Sequence, residues 1–209
     1  MISSDIKKYI ESEILPRYDS FDKAHQIDHV THVIDESLIL AEQYEVNIDM
    51  AYVIAAFHDV GLCSGREGHE KKSGEILLAD EQLKKWFSEE EILLMKEAAE
   101  DHRASNKHEP RTIYGKIVAE ADRDISYDTI MIRTIQYSLK NFPELSMNGH
   151  MERTREHIVG KYCEGGYLKL WLNSKKNIDG LNRLRDKMRD KEGFEKDFQR
   201  LFEQELEKA

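Results

Sequence analysis

Met50-Ala51-Tyr52-Val53-Ile54-Ala55-Ala56-Phe57-His58-Asp59-Val60-Gly61 is the stretch on which the reading of this chain turns. Met50 to Phe57 is its longest apolar run, eight residues, well short of the roughly 20 that a membrane-spanning helix needs. A helix that is apolar nearly all round belongs in the middle of a core. Asp49 is placed to cap it and Gly61 to stop it, which predicts a buried central helix over Met50 to about Val60. The anomaly is His58-Asp59 at its far end, because an ionisable pair is costly to bury unless both side chains have partners. A divalent cation would be such a partner, and a simple His–Asp pairing at a helix end would be another.

Elsewhere apolar residues recur at three and four rather than two, which predicts a succession of helices and no strand. One helix is expected over Asp5–Leu15, with Ser3 or Ser4 as cap and Pro16 as stop, and a second over Ile27–Tyr44. A further helix runs from His69 to about Trp86. Ser88 with Glu91 forms a capping box for the next, which reaches about His102. A polar loop, Ala104–Pro110, precedes helices over Thr112–Ala121 and Tyr127–Asn141, and Pro143 ends the run. The remainder to Ala209 is helical in pattern, interrupted at Gly165-Gly166 and around Asn173–Gly180. Leu181, Leu184, Met188, Phe194, Phe198, Leu201, Phe202 and Leu206 mark a closing helix packed on the main bundle. The expectation is a single all-α domain spanning 1–209.

The chain has 209 residues, long enough to bury a sizeable core without disulfides. Cys63 and Cys163 have no CxxC partner and read as reduced bystanders. Lys and Arg total 31 against 41 Asp and Glu, a net charge of -10, which argues against a surface that tracks a long nucleic-acid backbone. Met1–Lys8 has no apolar signal core, so a cytoplasmic location is expected. A small anionic substrate remains open if a metal or a local basic cluster receives it.

Histidine placement is more informative than composition. Six of the nine histidines fall between His25 and His102. His25, His29 and His32 share one face if the helix extends back to His25. Asp122 closes the apolar segment Ile117–Ala121, another carboxylate at a helix end. Together His29, His58, Asp59 and Asp122 make two imidazoles and two carboxylates, a nitrogen and oxygen set suited to manganese, iron or another divalent transition metal. The set lacks a thiolate, which disfavours a Cys-type structural zinc site.

The ordered pattern His29, then His58-Asp59-Val60-Gly61, then Ala121-Asp122-Arg123 resembles the HD superfamily of metal-dependent phosphohydrolases. The context agrees: His29-Val30-x-x-Val33 resembles that family's first helix, and Ala55–Gly61 resembles its "HDIG" stretch. The similarity covers roughly residues 22–128 and extends to small stand-alone bacterial members. It implies an HD-type helical bundle with additional C-terminal helices over about 148–209. It also implies His29, His58, Asp59 and Asp122 as metal ligands, with His69 and His102 as ligands of a second ion or as phosphate contacts. Glu120, and Asp124 where an apolar residue is usual, depart from the family pattern.

The chemistry implied is hydrolysis of a nucleotide or similar small phosphate ester or anhydride by a metal-activated water. One or two ions of manganese, iron, cobalt or nickel, or magnesium, would serve. Arg66, Lys71, Lys72 and Arg103 are candidates for grasping non-reacting phosphates. Asp28, Arg123 and Asp124 are candidates for orienting the ligands. Two other readings stay open: a sensor that binds metal or nucleotide without turnover, and a di-iron oxygenase, which would need His69 and His102 as ligands.

Overall fold

The computed structural model of the chain describes residues 1–21, 26–103, 106 and 108–208. Among them are ten α-helices and no strand. None of the helices is long and apolar enough to cross a membrane. The chain divides into two compact units, Met1–Arg123 and Asp124–Ala209.

In the first unit, α1 (Ser4–Tyr9), α2 (Ile27–Gln43), α3 (Ile48–Phe57), α4 (His69–Leu78), α5 (Glu89–Asp101) and α6 (Ile113–Ala121) build the bundle. Every residue of α3 from Met50 to Phe57 is buried, and α2, α4, α5 and α6 pack around it. This is the burial that an all-round apolar helix requires. The cap of α3 is Asn47 rather than Asp49. The Asn47 side chain accepts from the backbone N–H of Asp49 and Met50, which starts the helix at Ile48 and leaves Asp49 in its first turn beside the helix dipole. At the other end α3 stops at Phe57, before Gly61, and Val60–Ser64 forms a tighter 3₁₀ turn.

Gly61 serves packing instead. A Cβ there would lie 2.1 Å from the His69 carbonyl oxygen and 2.5 Å from the Ser73 nitrogen, so α4 rests directly on this glycine. The Gly61 N–H donates to Ser73 Oγ at 2.9 Å across the same contact. Gly68, at φ +71°, makes the left-handed turn that starts α4 at His69.

Two further boundaries in this unit differ from expectation. Pro16 does not end the first helical segment. After Tyr9 the backbone widens into a π turn over Ile10–Ile14 and then tightens into a 3₁₀ helix over Leu15–Ser20. A proline without an N–H is accommodated by such a change of pitch. Helix α4 ends at Leu78, and only the short turn Leu83–Lys85 stands where a longer helix was expected. The Ser88–Glu91 capping box is present at the start of α5.

The second unit comprises α7 (Tyr127–Asn141), α8 (Met147–Tyr162), α9 (Lys175–Arg189) and α10 (Lys191–Leu206). Met131, Ile135, Ile158, Leu184 and Phe198 sit at the centre of its core, and Phe198 stacks on Phe202. The expected closing helix is two helices, because the Asp190 side chain accepts from the Gly193 N–H and caps a new start. Gly180 lies inside α9 rather than in a break. A Cβ there would meet the Ile125 carbonyl oxygen at 2.5 Å.

The clash geometry at Gly61 yields a test. Gly61→Ala drives a methyl group into the backbone of α4, so stability should fall by about 3 kcal/mol, the upper range for overpacking against groups that cannot rotate away. Urea unfolding of the variant beside wild type measures it.

Candidate metal centre

Six side chains from five helices meet at helix ends. His29 lies in the first turn of α2 and His69 begins α4, while His58, His102 and Asp122 are the C-terminal caps of α3, α5 and α6, and Asp59 follows His58. Three helix C-termini therefore point their partial negative charge at one place, which favours a cation there.

Asp59, buried in the core, is the hub. One carboxylate oxygen, Oδ2, is 3.3 Å from His58 Nε2 and 3.5 Å from His29 Nε2. The other, Oδ1, is 3.2 Å from His69 Nε2 and 3.4 Å from His102 Nε2. Asp122 Oδ1 stands 3.3 Å from His29 Nε2 and 4.0 Å from His58 Nε2. The ring nitrogens also face each other in pairs, His29 with His58 at 3.3 Å and His69 with His102 at 3.2 Å.

The tautomers follow from the carbonyls behind the rings. His58, His69 and His102 place Nδ1 at 2.7, 2.8 and 2.7 Å from the carbonyl oxygens of Ala55, Arg66 and Ala99. A carbonyl can only accept, so each Nδ1 carries a hydrogen and each Nε2 is turned toward the Asp59 carboxylate, where it can offer a lone pair to a metal ion. Lone pairs facing lone pairs repel unless protons or cations lie between them. Ligands each about 2.1 Å from one ion stand roughly 3.0–3.4 Å apart, which matches these separations. Two overlapping groups with metal-ligand spacing result, His29–His58–Asp59 and Asp59–His69–His102. The donor set and its spacing fit divalent metal.

Without metal, protons fill part of the gap. Burial opposes charge on His29, but the carboxylates of Asp122 and Asp59 outweigh it and raise its pKa to about 9. His102 is likewise raised, against burial, by Asp59 and Asp122. Buried Asp59 and half-buried Asp122 are held below the usual carboxylate range by the surrounding imidazoles, against desolvation.

The remaining residues singled out in the sequence are placed as follows. Arg123 is buried and donates Nη1 to the Ala119 carbonyl at 2.7 Å and to the buried Glu120 carboxylate at 3.3 Å, forming an ion pair in the chain turn after Asp122. Asp28 is exposed on the first turn of α2, and Asp124 is exposed as the first residue of the second unit. Arg66 and Lys71 are exposed, with the Arg66 carbonyl anchoring His69. Lys72 pairs with Glu75, and Arg103 reaches Glu70, whose carboxylate also lies 3.5 Å from His69 Nδ1. His32 is exposed. His25 and most of the connection from Ala104 to Lys107 lie outside the described residues. Sequence reasoning missed Tyr18, whose hydroxyl meets the backbone beside Asp59. A single tyrosine downstream of a proline carries no pattern that would reveal it.

A helical bundle whose helix ends gather four imidazoles and two carboxylates is a framework suited to holding divalent metal. Residues 27–125 match the family model of the HD domain, and this part of the chain is an HD domain. Within that segment lie all six residues of the His and Asp cluster. The crystal structure of a predicted HD superfamily hydrolase from an uncultured Thermotogales bacterium is similar at a TM-score of 0.47 and 18% identity, over 73% of this chain and 82% of that one. No curated protein matches the chain.

A divalent ion needs neutral imidazoles, so at pH 7 it must displace the proton that metal-free His29 holds. Manganese binding should therefore release protons and tighten as pH rises toward about 9. The same raised pKa stabilises the metal-free fold fully below about pH 6.5 and is lost as pH climbs through about 9. Calorimetric titration in buffers of different ionisation enthalpy, with melting of the metal-free protein at each pH, measures both.

Proposed function

We propose that the chain is a metal-dependent phosphohydrolase acting on a nucleotide or a similar small phosphate ester or anhydride. The observation that carries this reading is the division of the Asp59 carboxylate, with Oδ2 facing His29 and His58 and Oδ1 facing His69 and His102. One ion would be held by His29, His58, Asp59 and Asp122, and a second by Asp59, His69 and His102. Bound divalent ions supply Lewis acidity toward a phosphoryl oxygen and a water of lowered pKa.

The chain's own groups do the remaining work. Asp59 bridges the two histidine pairs and fixes their separation. The carbonyls of Ala55, Arg66 and Ala99 hold three rings in the tautomer that leaves Nε2 available. Arg66, Lys71, Lys72 and Arg103 follow or flank the ligand positions and would receive the non-reacting phosphates. Glu70 restrains Arg103 beside His69. The acidic net charge favours a small substrate over a long nucleic acid. The complete second pair, His69 and His102, also keeps the di-iron oxygenase reading as a distinct alternative.

Metal content decides the ligand set. Asp59→Ala should lose all bound metal, whereas the His69→Ala, His102→Ala double variant should lose one equivalent and keep the other, as read by elemental analysis and calorimetry. Equal metal in wild type and Asp59→Ala would remove the proposed centre. For activity, purified protein is screened against nucleotides, sugar phosphates and pyrophosphate with manganese, cobalt, nickel, iron and magnesium each added. Turnover that a chelator stops is expected. Nucleotide binding without turnover would install the sensor reading, and oxygen consumption with iron the oxygenase reading.

A further inference from the structure

Tyr18 lies upstream of the segment that matches the HD model, in the 3₁₀ helix Leu15–Ser20. It is fully buried, and Phe21 packs edge-on against its ring with centroids 5.3 Å apart. Its hydroxyl donates to the Ala56 carbonyl at 2.9 Å and accepts the Asp59 N–H at 3.3 Å. Those two backbone groups stand on either side of Phe57 and His58, so one phenol oxygen braces the turn in which α3 ends.

That turn has an unusual duty. Asp59 leaves helical geometry, with φ −113° and ψ 4°, a sparsely populated backbone region that persists where neighbours over-determine it. The direction of its side chain follows from that backbone, and both carboxylate oxygens serve different histidine pairs. A small rotation at Asp59 would therefore misplace contacts to four imidazoles at once.

We propose that Tyr18 is a positioning residue for the metal centre, setting through the backbone of Ala56 and Asp59 the direction in which the Asp59 carboxylate presents its two oxygens. The inference rests on the metal-binding reading given above. It makes the segment before α2 part of the site, although that segment supplies no ligand of its own in the proposed set.

Tyr18→Phe keeps the ring and removes only the hydroxyl. Tyr9→Phe is the control, since the Tyr9 hydroxyl bonds Asp80 in the same N-terminal region and touches no group of the cluster. Manganese affinity is measured by calorimetry, and the absorption spectrum of the cobalt-loaded protein reports coordination geometry. Tyr18→Phe should bind manganese about tenfold to a hundredfold more weakly, the usual effect of losing a partner that orients a ligand, and should alter the cobalt spectrum. Tyr9→Phe should change neither. Wild-type affinity and spectrum in Tyr18→Phe, or equal weakening in both variants, would overturn the positioning role while leaving the metal centre intact. A wild-type protein that takes up no metal would instead overturn the reading on which it rests. Should Tyr18→Phe not fold, hydrogen exchange of the wild type decides. Manganese should slow exchange of the peptide containing Asp59, and unchanged exchange would sink the proposal.

Discussion

A carboxylate placed at the buried end of an apolar helix needs compensation, and Asp59 obtains it from four imidazoles drawn from four helices. Few arrangements of the first unit satisfy that requirement. Helix α3 must run through the core for its apolar surface to be covered, which carries His58 and Asp59 inward with it. The starts of α2 and α4 and the ends of α5 and α6 must then converge on the same point. The glycine at 61 permits the closest of these approaches, because α4 can supply His69 only by resting on backbone that bears no side chain.

Convergence of helix ends also explains why so polar a cluster is tolerated. Loops would bring the same residues with less fixed geometry, whereas a helix terminus has a defined direction and an electrostatic polarity. Three C-termini contribute here. Their carbonyl dipoles, the two depressed carboxylates and the Nε2 lone pairs all act in one sense, toward positive charge. The proton on His29 answers that field in the metal-free state, and its displacement links ion binding to pH.

Much of this was legible in the sequence because the residues concerned obey local rules. The apolar run 50–57 states its own burial, and the Ser88–Glu91 pair states the start of α5. The ends of apolar segments single out His58, Asp59 and Asp122, the histidine spacing offers His29, and the family resemblance adds His69 and His102; the fold brings all six together. Features decided by distant contacts were not legible. Asn47 and Asp49 are both competent caps, but the Asp49 carboxylate accepts from the distant Ser3 N–H while Asn47 caps the helix. Gly180 looks like a break until the Ile125 carbonyl is seen to occupy the space that a side chain would need. Tyr18 gains its role from a neighbour 41 positions away, a relation that no spacing encodes.

The three histidines anchored through Nδ1 carry one more implication. Each ring is tied to a carbonyl three residues earlier, so its orientation is inherited from backbone, helical for His58 and His102 and the turn before α4 for His69, rather than from a freely turning side chain. Such a cage is shaped before any ion arrives and has little room to contract or swell. Selectivity among ions of equal charge would then arise from radius and preferred coordination angles, with ill-sized ions excluded by stiffness of the frame rather than by the chemistry of the donors.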